Sequence, residues 1–146
     1  MLSSKAKYAV RAALQVAELG RDADWVQVAG IAQREAISRK FLEAILVRLR
    51  DEGLLESRRG AQGGYRLARA AAQISVADVI RCIDGPLALT PCASRTRYGQ
   101  CRDCVDVSRC RLQPLMQQAR DAVAAVLENC SLAALIAAPG CVPLDV

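Results

Sequence analysis

The chain has 146 residues, 53% of them hydrophobic, enough for a single domain with a real core. Aromatics amount to 3% and histidine is absent, so aliphatic side chains must fill that core. His general bases, Ser–His and Cys–His pairs and His-containing metal sites are excluded. The net charge of +5 lies wholly in residues 1–70, with 13 Lys and Arg against 8 Asp and Glu, while residues 71–146 balance at 7 against 7. A basic half points to a polyanionic partner, nucleic acid first.

A first helix is predicted from a cap at Ser3 or Ser4 to about Glu18, with Gly20 as its stop. Tyr8, Ala9, Ala12, Ala13, Val16 and Ala17 recur at helical spacing and should face the core. After the polar stretch RDADW, a short helix is expected from Val26 to about Glu35, with Val28, Ile31 and Ala32 inward. A break at Ala36–Ser38 follows. Ser38 is placed to cap a third helix, Arg39 to about Glu52, ended by Gly53 and striped by Leu42, Ile45, Leu46 and Leu49. Arg39, Lys40, Glu43, Val47 and Arg50 lie around its other side. Leu54–Ser57 and Tyr65–Leu67 read as short strands joined by RRGAQGG, a hairpin with a basic tip.

Ser75 should cap another helix, Val76 to about Ile83, closed by Asp84-Gly85-Pro86. A cysteine-rich loop spans about 87–108. Helix is then expected to about Glu128, striped by Leu112, Leu115, Met116, Ala119, Val123 and Val126, with Cys110 at its start. Ser131 should cap a last short helix, and the tail from Pro139 should fray. The expected organisation is a DNA-binding module at 1–70, a connecting helix at 71–86, the cysteine loop at 87–108, and a dimerisation helix with a short terminal helix at 109–137. No stretch reaches the about 20 continuous apolar residues of a membrane span, and no secretory signal is visible. A cytoplasmic protein with no membrane partner is therefore expected.

Helix, short helix, turn, helix and Gly-rich basic hairpin is the order of a winged helix-turn-helix, a mainly α fold. The third helix would enter the major groove of duplex DNA and the hairpin would lie on the backbone or in the minor groove. The candidate DNA contacts are Ser38, Arg39, Lys40, Glu43 and Arg50 on the third helix, and Arg58, Arg59 and Gln62 on the wing. Without a histidine, a phosphate loop or a dinucleotide motif, no catalytic constellation is present and no enzyme is expected.

Seven cysteines are the unusual feature of the composition. Four of them fall within one short polar stretch, Cys92-x8-Cys101-x2-Cys104-x5-Cys110. Clustered thiolates need a cation, a disulfide or solvent. Zinc, a 2Fe–2S cluster, a 4Fe–4S cluster and free redox thiols all remain open. The uneven gaps do not match a tandem CxxC zinc ribbon. Cys82 is expected to be a small hydrophobe of a helix, while Cys130 and Cys141 carry no assigned role. The apolar stripe of the long helix is expected to be a homodimer seam.

LSSKAKYAVRAAL, the run IAQREAISRKFLEAILVRLRDEGLLESRRGAQGGYRLAR and a cysteine loop before a long helix resemble the Rrf-two family. These are winged-helix repressors related to the iron–sulfur cluster regulator IscR. The resemblance covers nearly the whole chain. It implies a homodimer on a roughly palindromic operator, and cluster-loaded and cluster-free states with different DNA preferences. It implies base readout by Glu43, a wing contact by Arg59, and Cys92, Cys101 and Cys110 as the family's cysteine triad, with Cys104 additional. The departures are the missing histidine ligand and Lys7-Tyr8-Ala9 in the first helix, where other relatives supply an Asp. Ligation by all four loop cysteines is the simplest reading, and the sensed signal would be cluster or iron supply, redox state or nitric oxide.

Overall fold

The computed structural model describes residues 2–137. The expected tail from Pro139, and Cys141 with it, lie outside the described residues. The elements are α1 (Ser4–Leu19), α2 (Val28–Glu35), α3 (Arg39–Asp51), β1 (Leu55–Arg58), β2 (Gly64–Leu67), α4 (Val76–Asp84), α5 (Leu112–Glu128) and α6 (Leu132–Ala137). The fold is mainly helical, a winged helix-turn-helix with a two-stranded antiparallel wing.

Local chemistry sets the helix ends. Ser3 Oγ accepts from the Ala6 amide, Ser38 Oγ from Phe41 and Ser75 Oγ from Asp78, so each side chain satisfies a first-turn donor. At α4 the Asp78 carboxylate returns a bond from the Ser75 amide, completing a capping box. Between α2 and α3 the chain turns through Ala36 at φ 51°, in the left-handed region.

The core collects Ala9, Ala12, Ala13 and Val16 of α1, Ile31 of α2, Leu42, Ile45, Leu46 and Leu49 of α3, Val79 of α4 and Leu132 of α6. Each of the four fully buried α3 side chains contributes about 1.5–3 kcal/mol over its exposed state. Ala6 is buried as well, and Tyr8 only partly. Helices α1 and α4 pack on each other most extensively. Residues beyond 70 are thus built into the same core as the helix-turn-helix.

Two expectations need correction. Val26 is not helical: its amide donates to Tyr65 O and its carbonyl accepts from the Tyr65 amide, each at 2.8 Å. The Trp25–Gln27 segment therefore lies along the free edge of β2, and α2 begins only at Val28. Helix α5 begins at Leu112, so Cys110 precedes it, in extended backbone after a 3₁₀ turn at Val107–Arg109. Pro114 explains the later start. In the first turn its missing N–H has no intrahelical partner to lose, whereas a helix running from 108 would place it in the interior.

Candidate DNA interface and cysteine cavity

The buried stripe of α3 fixes its rotation, so Arg39, Lys40, Glu43 and Arg50 face solvent. Arg39, Glu43, Val47 and Arg50 form one wall of a groove of about 580 Å³, and Arg58 and Arg59 of the wing form another part of its lining. The structure thus brings five of the sequence-predicted residues to one groove, while Ser38, Lys40 and Gln62 lie outside its lining. Ser38 Oγ is committed to the helix cap.

The arginines there differ in electrostatic state. Arg39 Nε pairs with Glu43 Oε1 at 3.1 Å, and Arg50 Nη2 with Asp51 Oδ1 at 2.9 Å. Among the described residues, Lys40, Arg58 and Arg59 form no ion pair. An unpaired cation can take a phosphate without first releasing a carboxylate, so these three candidate contacts are free to do so. The Arg39–Glu43 pair also orients the Glu43 carboxylate, the group suited to accept from cytosine N4. Burial raises the Tyr65 phenol above its ordinary pKa of 10.0, so it stays a neutral hydroxyl in the groove.

Sequence reasoning missed what holds the wing. Gln27 Nε2 donates to Ala61 O at 2.9 Å, and Arg58 Nη2 donates to Gln62 O at 2.9 Å. Trp25 lies against the guanidinium carbons of Arg58 and Arg66, 5.2 and 4.4 Å from the ring centroid. The one available signal was Trp25 itself, a lone tryptophan in a polar stretch.

The second site is the cysteine loop. Cys92, Cys101, Cys104 and Cys110 line one cavity of about 180 Å³, with Asp103, Thr90, Gln113 and Met116. Cys92 is buried and its sulfur is 3.7 Å from that of Cys101. That hydrogen bond is the foremost cause raising the Cys101 thiol above its ordinary pKa, while partial desolvation raises Cys104. Two sulfurs bound 2.3 Å from one tetrahedral metal lie about 3.8 Å apart, so the Cys92–Cys101 pair matches one edge of such a site. Among the described residues no three Cys, Asp or Glu side chains converge closely enough to share a single ion. Four thiols around one cavity are a donor set that either zinc or an iron–sulfur cluster could take.

Helix α5 anchors this loop. Gln113 Nε2 donates to Cys92 O at 3.1 Å, and the Arg120 guanidinium donates to Ala93 O. Helix α5 packs on α4, joined by the Arg81–Glu128 ion pair, and Arg48 Nε of α3 donates to Cys82 O of α4 at 3.1 Å. Physical contact is therefore continuous from the cysteine turn through α5 and α4 to α3.

The sequence profile of Rrf2, described as an iron-dependent transcriptional regulator, matches residues 2–138. The chain belongs to the Rrf2 family. An Rrf2-like HTH-type transcriptional regulator of Rhodobacter capsulatus is 36% identical over 140 residues, spanning 94% of this chain and 93% of the relative. The HTH-type transcriptional regulator IscR of Escherichia coli is 36% identical over 135 residues, 92% of this chain and 79% of IscR. Among solved structures, CymR (YrzC), the global cysteine regulator of B. subtilis, superposes with a TM-score of 0.74 at 28% identity, covering 94% of this chain and 96% of CymR. As an Rrf2 protein the chain is a DNA-binding transcriptional regulator and not an enzyme. Among the described residues no helix is long and apolar enough to cross a membrane.

Proposed function

We propose that this Rrf2 protein is an iron–sulfur-dependent regulator that binds its operator as a cytoplasmic homodimer and represses from it. The observation that carries the reading is the set of four cysteines around one cavity, tied by Gln113 and Arg120 to the helix on which Leu112, Leu115, Val123 and Val126 are exposed among the described residues. Cys92, Cys101, Cys104 and Cys110 would hold the cluster. A cluster there supplies a redox-responsive and iron-responsive charge centre. The residues of the chain do the rest. Gln113 and Arg120 fix the turn that carries Cys92, α5 presents its stripe to the second copy, and α3 and the wing dock on DNA through Lys40, Glu43, Arg58 and Arg59 with Arg39 and Arg50. The two recognition helices of a dimer would enter successive major grooves, about 34 Å apart.

The 3.7 Å separation of Cys92 and Cys101 also favours a second reading, a dithiol that closes to a disulfide under a two-electron oxidant such as a peroxide. Anaerobic purification separates the two. Iron and sulfide in matched amounts with visible absorption, lost on Cys101→Ser or Cys110→Ser, support the cluster. A colourless, metal-free protein that stays colourless after reconstitution, and whose DNA affinity changes on oxidation, supports the dithiol. One zinc per chain would make the loop structural.

A further inference from the structure

We propose that Trp25 is a positioning residue for DNA binding: its indole is a platform that holds the wing, and Arg58 in particular, ready for a backbone phosphate. Cross-strand register pairs Glu56 with Arg66 and Arg58 with Gly64, so Glu56, Arg58 and Arg66 share one face of the hairpin. Trp25 lies across that face, with both guanidiniums within cation–π distance of its ring.

The two cations play different parts. Arg66 is neutralised by Glu56, its Nε 2.8 Å from Glu56 Oε2, and so serves as structure. Arg58 has no carboxylate partner among the described residues, and its one hydrogen bond runs to Gln62 O at 2.9 Å. A guanidinium carries five donors, so most of those of Arg58 remain available for a phosphate.

The backbone places the platform. Trp25 precedes Val26, whose two 2.8 Å bonds to Tyr65 fasten this segment to β2. A free arginine on a glycine-rich hairpin would lose rotamer freedom on meeting DNA. Stacking on a fixed indole has already restricted it, so less is lost on binding. The partner is the sugar–phosphate backbone and not a base edge, because Arg58 lies on the wing while the carboxylate suited to base readout is on α3.

This role of Trp25 rests on DNA binding alone and not on what the cysteine loop holds. Wild-type affinity for the test duplex reads that step by itself. The experiment measures binding of full-length protein to a labelled mixed-sequence duplex as KCl is varied. Trp25→Leu should weaken binding about five- to tenfold at 0.1 M KCl and flatten the log K against log [KCl] slope by about 0.9 for each phosphate no longer neutralised. Trp25→Phe should stay near wild type. The double variant Trp25→Leu/Arg58→Ala should bind no worse than Arg58→Ala alone.

An unchanged affinity in Trp25→Leu, or losses in the double variant that multiply, would overturn the proposal. A readout in the wild-type protein stands apart from any folding defect. The Arg58 side-chain Nε–H resonance should be displaced by the indole ring current and move again when the duplex is added. A resonance at its free position, indifferent to DNA, would overturn the proposal equally.

Discussion

At Gly64 an added Cβ would lie 2.2 Å from the Val26 carbonyl oxygen, and φ is +146°, a conformation side-chain-bearing residues rarely adopt. The pairing that docks the wing therefore depends on a residue without a side chain. Gly64→Ala should cost about 1–3 kcal/mol from backbone conformation alone, with the clash added, and should loosen the wing. Urea unfolding and duplex affinity, measured on the same sample, check this. Cys82 makes the second case. Burial, reinforced by Glu52, pushes its thiol from the ordinary 9.0 to about 11. The folded state thus favours the protonated thiol. That stabilisation is complete below about pH 9 and disappears as pH climbs towards 11. Alkylation of Cys82, followed by peptide mass spectrometry, should rise steeply only near the top of that range. A mid-point near 9 would mean that the site is wetter than its packing against the core implies.

Helices α1, α3 and α4 are legible in the sequence because their signals are local. A serine stands before each, glycines follow, and the apolar residues recur on one face. Helix α5 is only half legible. Its apolar stripe is plain, but periodicity alone starts the helix too early, and it is the restriction imposed by Pro114 that delays it to Leu112. Among the described residues most of the stripe stays exposed: Leu115 is 56% exposed and Val123 43%. Four large apolar side chains on one helix face, Leu112 and Val126 with these two, are a costly surface to leave in water. Under the proposed dimer they form its seam. Leu115→Asp with Val123→Asp should convert a dimer to a monomer in light scattering and depress duplex affinity at least tenfold, since two linked half-sites become one. A wild-type protein that already runs as a monomer would remove the seam from the proposal.

For the whole molecule, what escaped the sequence is what joins distant segments. The Val26–Tyr65 pairing, the Trp25 platform and the bonds from Gln113 and Arg120 to the Cys92 turn all link residues whose partners are set by the tertiary fold and not by any local pattern. The four cysteines were readable as a group from spacing, whereas the closeness of Cys92 to Cys101 in particular was not. The chain of packing from that turn to α3 gives a prediction at this scale. Arg120→Ala should leave the affinity of the untreated protein for DNA within about twofold. It should shrink the ratio of affinities measured before and after the cysteine loop is stripped with a chelator or oxidised. An unchanged ratio would mean that the loop communicates by another route.

The sequence contains a single tryptophan, and the fold sets it against the wing. The protein thereby carries its own optical probe at a defined place. Excited selectively, the indole emits from the wing and from nowhere else, while any chromophore at the cysteine loop absorbs in the visible. One cuvette, read at two wavelengths during a titration with DNA, can time wing docking against events at the loop, with no dye attached and no residue changed.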